Sequence, residues 1–277
     1  MDIGVFIFLT DYCIAVDELA RELEERGFES MFQPEHTHIP SSRETPFPGG
    51  GDLPREYSNT YDPFVSLSIA AACTTKLKVG TGICLIPQRE PIQTAKSVAS
   101  LDRLSNGRFV FGIGGGWNVE EMNNHGAEYK TRFRMLRERV EAMQQIWREE
   151  AATYHGDFVN FDAIWSNPKP VQKPNPPVLL GGETDYTLKR VAAFCDGWMP
   201  RGGVFDPARD TARLRAKAEE AGRDPAELSI TVFRAPPDKA GLEAYAEHGV
   251  QRALLGVPPL PRDDVLRLLD EYAPLLA

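Results

Sequence analysis

Cysteine is sparse in these 277 residues: four, at positions 13, 73, 84 and 195, none in CxxC spacing. That excludes a zinc ribbon or a disulfide-stapled scaffold, and the mostly apolar neighbourhoods predict free thiols in a reducing cytoplasm. Basic charge is also short, with 31 Lys and Arg against 40 Asp and Glu, a net charge of −9. The acidic residues are scattered along the helical segments, which excludes a general nucleic-acid or anionic-membrane partner. No apolar run approaches the ~18 residues needed to span a bilayer. The short apolar start, Ile3 to Leu9, lacks a basic flank and a cleavage site, so it reads as a first strand and not as a signal peptide. Missing too is a GxGxxG after that strand, which counts against a dinucleotide-binding half.

What is present is alternation. Residues 76–117, KLKVGTGICLIPQREPIQTAKSVASLDRLSNGRFVFGIGGGW, read as a strand over Leu77–Leu85, a helix opened by Pro91 and a strand over Arg108–Gly114. Proline costs no hydrogen bond in the first helical turn, and strands apolar on both faces belong to a parallel sheet covered by helices. The same alternation predicts strands at Ile3–Leu9, Phe28–Gln33, Pro177–Leu180, Asp196–Met199, Ser229–Phe233 and Arg252–Leu255, a total of eight, with a helix after nearly every one. Eight such units close most naturally as an α/β (β/α)8 TIM barrel in one domain, an open doubly wound sheet being the alternative. Two stretches break the pattern as insertions after strands two and four. Residues 36–62 are rich in Pro, Gly, Ser and charge without periodicity, which predicts a lid over the strand ends. Residues 152–173 contain a small hairpin around Gly156-Asp157.

In a parallel barrel, ligands bind at the carboxyl ends of the strands. Three places there carry candidate chemistry. After strand two come Glu35, His36 and His38. An HxH pair can present two imidazoles to one metal ion, yet His125, His155 and His248 fall on helices or the insertion, so a metal site lacks further ligands. The polar cluster could instead merely cap the loop. The preferred reading puts His36 against a cofactor ring as hydrogen-bond partner or proton donor. Thr81-Gly82-Ile83 and Gly114-Gly115-Gly116 end consecutive strands, where glycine lets backbone approach a flat or anionic ligand. Gly181-Gly182 precedes a helix beginning near Thr184, which makes either a tight turn or a phosphate cradle. With Arg201-Gly202 on the next strand end, phosphate is favoured.

QPEHTHIP, GTGICLIPQREPIQTAKSVASLDRLSNGRFVFGIGGGW, PPVLLGG and CDGWMPRGG in this order resemble the bacterial luciferase-like superfamily, most of all its coenzyme F420-dependent oxidoreductases. The similarity runs to about Gly203, and LDRLSNGR at 101–108 is its most specific piece. The resemblance implies a single barrel, a homodimer, and a deazaflavin at the strand ends. His36 would lie beside the ring, Gly82-Ile83 would form a bulge behind it with a non-proline cis peptide, and Gly181, Gly182 and Arg201 would lie near the phosphate. Where members acting on sugar phosphates carry a catalytic carboxylate, this chain has Trp117, which cannot act as a base. Proton transfer then falls to His36 or Glu35, and the substrate is expected to be a small enone-, imine- or aromatic-like molecule. The resemblance leaves two alternatives: an FMN-dependent monooxygenase served by a separate flavin reductase, and a non-catalytic flavin-binding protein. The two cofactors differ at the tail, since FMN ends in one phosphate and the deazaflavin continues into lactate and glutamates.

Overall fold

The computed structural model describes residues 1–276. Taken along the chain, the elements are β1 (Asp2–Phe6), α1 (Val16–Arg26), β2 (Ser30–Gln33), the one-turn α2 (Glu56–Asn59), α3 (Pro63–Ala72), β3 (Lys78–Thr81), β4 (Cys84–Leu85), α4 (Pro91–Leu104) and β5 (Phe109–Gly114). Then come α5 (Val119–Asn124), α6 (Arg132–Arg148), the hairpin β6 (Ala152–His155) and β7 (Asn160–Ile164), β8 (Val178–Gly181), α7 (Asp185–Phe194), β9 (Gly197–Met199), α8 (Pro207–Glu220), β10 (Ser229–Ala235), α9 (Lys239–Glu247), β11 (Arg252–Gly256) and α10 (Arg262–Tyr272).

Parallel pairings run β1–β2–β3–β5–β8–β9–β10–β11 and return from β11 to β1. The ring is closed, so the (β/α)8 barrel holds and the open sheet does not. The strand expected over Leu77–Leu85 is interrupted at Gly82-Ile83, where the peptide is cis as the resemblance implied, and resumes as β4 against β5. The first strand is shorter than expected. Beyond Phe6, Ile7 N still donates to Phe32 O (3.0 Å), but Leu9 O accepts Tyr61 N of the insertion after strand two (2.8 Å).

Two apolar layers hold the barrel. Outside the ring, helix faces such as Val16, Leu19, Ala20 and Leu23 of α1 close onto the strands. Inside it, Phe6, Phe32, Val110, Leu179, Met199 and Leu254 pack together, with half-buried Ile83 and Phe233 lying on them toward the carboxyl ends. Glycine is required where Gly112 and Gly114 meet this bulge: a Cβ on Gly112 would lie 2.0 Å from Thr81 O, and one on Gly114 1.8 Å from Ile83 Cδ1. At the opposite end the LDRLSNGR segment acts as a clasp. Buried Asp102 accepts from Val171 N (2.7 Å) and Gln172 Nε2 (2.6 Å), and the Arg108 guanidinium donates to the carbonyls of Ala71 and Leu77 (2.7 and 2.6 Å). Glu29 is held there by both nitrogens of a bidentate Arg252 (2.7 and 2.6 Å) and by Lys78 (2.8 Å). Burial alone would raise its pKa, but these cations overcome that and hold the carboxyl at about 2.

Candidate functional site

His36 emerges from β2 at the carboxyl end of the ring, buried, with its Nδ1 2.8 Å from Oε2 of Glu121 on α5. Glu121 is fully buried, and its other oxygen accepts the Thr37 amide (3.2 Å). Asn118 caps α5 by accepting Glu121 N (2.9 Å), which fixes the carboxylate's position along the helix. On the far side of the imidazole, Trp117 Nε1 donates to His36 Nε2 (3.3 Å). An indole N–H can only donate, so Nε2 is the acceptor and Nδ1 carries the proton given to Glu121. The imidazole is thus oriented at the barrel mouth by contacts at both nitrogens, and Nε2 can take a proton when the Trp117 indole N–H gives way.

Aromatic rings close over this pair. Tyr57 lies 5.3 Å from the His36 ring and 4.7 Å from Phe8, while Phe47 stands edge-on to both Tyr57 (5.1 Å) and Trp117 (6.1 Å). Phe47 and Tyr57 belong to the insertion 36–62, which in this way packs on His36 and Trp117. It is pinned to α5 by Thr45, whose hydroxyl donates to Glu120 (2.9 Å) and accepts from Val119 N (3.2 Å). Burial pushes the Tyr57 phenol above its ordinary pKa. Below the rings, Ile83 and Phe233 present an apolar floor, and Gly82 abuts Phe233 closely enough that a Cβ would touch it at 3.3 Å.

Arg234 completes the mouth. It sits at a bulge near the end of β10 with φ +58°, its guanidinium 5.7 Å from the Phe6 ring, and no carboxylate within 4 Å among the described residues. A flat anionic heterocycle fits this donor set: apolar floor, aromatic walls, one uncompensated cation.

The luciferase-like monooxygenase family model matches residues 13–264. The chain belongs to that family. Over its entire length the luciferase-like chain is 39% identical to an uncharacterised protein of Mycobacterium tuberculosis, covering 99% of that relative. Among solved structures it is similar to the monooxygenase RslO1 from Streptomyces bottropensis, with TM-score 0.80, 20% identity and coverage of 100% of this chain and 98% of that one. It is also similar to an F420-dependent secondary alcohol dehydrogenase captured with an F420–acetone adduct, with TM-score 0.78, 18% identity and coverage of 100% and 99%. At such identities the structural likeness shows the fold alone.

Within this luciferase-like barrel the residues expected at the site divide into two groups. His36 and Trp117 meet at the mouth, and Ile83 packs on the apolar layer inside the ring. Others brace it. Glu35 does not pair with His36: its oxygens accept Leu85 N and Arg89 Nε, both at 2.6 Å, and Arg89 bridges on to Asp62, the cap of α3. Thr81 donates its hydroxyl to Gly112 O (2.6 Å), and Gly115 rests on the Phe133 ring. His38 is held by Thr37 and Asn124 (both 2.9 Å). Its neighbour His125, which takes Thr37 Oγ1 at 2.7 Å, has its pKa lowered by burial and by His38. Gly181 lies against Ile83, and Gly182 precedes α7, whose first turn Thr184 caps. Arg201 is engaged by Glu183 through its Nε (2.8 Å) and a terminal nitrogen (3.1 Å), while Gly202 N donates to Phe233 O (2.7 Å). Glu121, Tyr57, Phe47 and Arg234 were not expected from the sequence. For Glu121 the available signal was Asn118 three residues ahead, a helix-start pattern that turns one carboxylate inward.

Among the described residues no helix is long and apolar enough to cross a membrane.

Proposed function

We propose that this luciferase-like chain is an oxidoreductase transferring a hydride between coenzyme F420 and a small enone-, imine- or aromatic-like substrate. The observation that supports this best is His36 held by Glu121 at Nδ1 and by the Trp117 indole N–H at Nε2, inside an aromatic mouth. Bound in reduced form, the deazaflavin supplies a hydride from its ring C5, and catalysis by the protein consists of orientation and proton management. Ile83 and Phe233 would hold the flat ring, with Trp117 and Tyr57 as walls. Arg234 would face its anionic part. The amides of Gly181, Gly182 and the α7 start would take the phosphate, with Arg201 joining once released from Glu183. His36 Nε2 would move the proton, and Glu121 would stabilise the imidazolium that forms. Phe47 and Tyr57 would exclude water. Glu35 stands apart from proton transfer in this reading, since Arg89 and Leu85 N occupy it.

A second reading, FMN-dependent monooxygenation with a separate flavin reductase, is supported by the monooxygenase family description. A screen of enones and imines for oxidation of reduced F420 tests the first reading. Turnover that requires His36 supports it. No turnover with any of them, together with oxygen-dependent turnover using reduced FMN, contradicts it.

A homodimer is proposed on the α3–α4 face, where Val65, Ile69 and Ile92 are 63%, 46% and 36% exposed. Light scattering after size exclusion should give twice the 30.8 kDa chain mass, and Val65→Asp should reduce it to the monomer. A reducing cytoplasmic setting is supported by four cysteines that are all free.

A further inference from the structure

On the outside of the barrel, α6 and α7 enclose a groove of about 290 Å³ lined by Phe133, Arg134, Arg137, Tyr186, Lys189 and Arg190, with Phe194 at its far end. In a chain of net charge −9 this is an unusual place, because Arg132 adds a fifth cation beside it. Two of the five have carboxylates: Arg134 pairs with Asp157, and Arg137 with Glu141 (2.7 Å). Arg132, Lys189 and Arg190 have none within 4 Å among the described residues. The guanidinium carbons of Arg132 and Arg190 lie 4.5 and 4.3 Å from the centroid of one ring, Phe133, and the buried Nε of Arg132 has no acceptor. Like charges gathered on a shared ring without a counterion repel one another and gain from an anion placed between them.

The groove touches the site. Phe133, its floor, is the ring on which Gly115 rests, close enough that a Cβ there would approach to 2.8 Å. Tyr186 lies in the first turn of α7, just past the Thr184 cap. From Tyr186 to Phe194 the helix rises about 12 Å, room for three or four extended peptide units.

We propose that this groove binds a short acidic peptide carried on the cofactor tail beyond its phosphate, the glutamyl extension of F420. The assignment rests on the F420 reading above. A protein partner fits less well, since a stable protein interface covers about 800 Å² per partner and this narrow groove with an apolar floor offers far less. FMN, ending at its phosphate, leaves these cations unmatched, so the groove selects between the two cofactors.

The test compares equilibrium binding of F420 bearing its glutamates with the same cofactor trimmed back to its phospholactate. Wild-type protein should bind the tailed form about tenfold tighter, with the difference shrinking as salt rises. The double variant Lys189→Glu/Arg190→Gln should lose the preference and keep the affinity for the trimmed form. Lys189→Glu alone, at an exposed side chain, serves if the double variant fails to fold. Equal affinity of wild type for both forms, or a preference that survives in the variants, overturns the groove assignment and leaves the F420 reading standing. Binding of FMN with neither deazaflavin bound overturns both. Unchanged deazaflavin binding in variants that lose an acidic protein partner also overturns the assignment.

Discussion

His36 Nδ1 and Glu121 Oε2 stand 2.8 Å apart, both buried, one from the end of β2 and the other from α5 after β5. The pair fixes which imidazole nitrogen carries the proton. A carboxylate that only accepts must be met by N–H, so Nε2 is the unprotonated nitrogen, and the Trp117 indole N–H donates to it.

Glu121→Gln should therefore be more damaging than its near-identical shape suggests. The amide can present N–H to Nδ1 and reverse the tautomer, turning the Nε2 proton toward the Trp117 indole N–H. Turnover should fall about 100-fold or more with KM and the circular-dichroism spectrum little changed. A change confined to KM would assign Glu121 to packing.

Trp117→Phe keeps an aromatic wall and removes the N–H at Nε2. Binding of a flat cofactor should weaken less than about fivefold, as expected for loss of one weak polar contact with stacking retained. Trp117→Ala should weaken it by an order of magnitude or more through loss of the wall itself. Titration of both variants with the same cofactor checks the ordering.

Much of the architecture was legible because the local signals agree with the global fold. Apolar strand runs, Pro91 at a helix start, and glycines after consecutive strands all point to one barrel, and the hairpin after α6 declares itself by Gly156-Asp157. The site was legible in part. His36 follows its strand directly, whereas its partner Glu121 lies 85 residues on, in NVEEM, a run that reads as a solvated helical turn. Glu35 looked available because Arg89, its partner, is 54 residues away. Phe47 and Tyr57 were hidden in a loop without periodicity, and Arg234 fell one residue beyond the expected end of its strand. In each case the missing information is a contact across the barrel mouth.

Glu183→Gln should strengthen binding of a phosphate-bearing cofactor. The carboxylate now holds Arg201 and adds negative charge beside the α7 start, so its removal frees a guanidinium and relieves repulsion. The expected gain is a few-fold in Kd at low salt, fading as salt rises. Weaker binding would show that Glu183 itself contacts the ligand.

At the opposite end of the barrel, the depressed Glu29 carboxyl couples stability to pH. Its folded pKa of about 2 lies below the ordinary value of 4.5, so its contribution is complete above about pH 4.5 and is lost as pH falls toward 2. Glu29→Gln should cost about 2–3 kcal/mol at neutral pH, with Arg252 left half-paired, and the difference from wild type should narrow between pH 4.5 and 2. Urea unfolding of both proteins across that range checks the sign. A difference that widens in acid would contradict it.

The central claim concerns the cofactor, and side-by-side titration of the purified protein with coenzyme F420 and with FMN, followed by tryptophan fluorescence, tests it most directly. Trp117 borders the mouth, so occupation there should quench its emission. The account predicts quenching by F420 at concentrations at least tenfold below those at which FMN acts, with the F420 response reduced in Trp117→Phe. Tight FMN binding with weak F420 binding would contradict it and favour the monooxygenase reading.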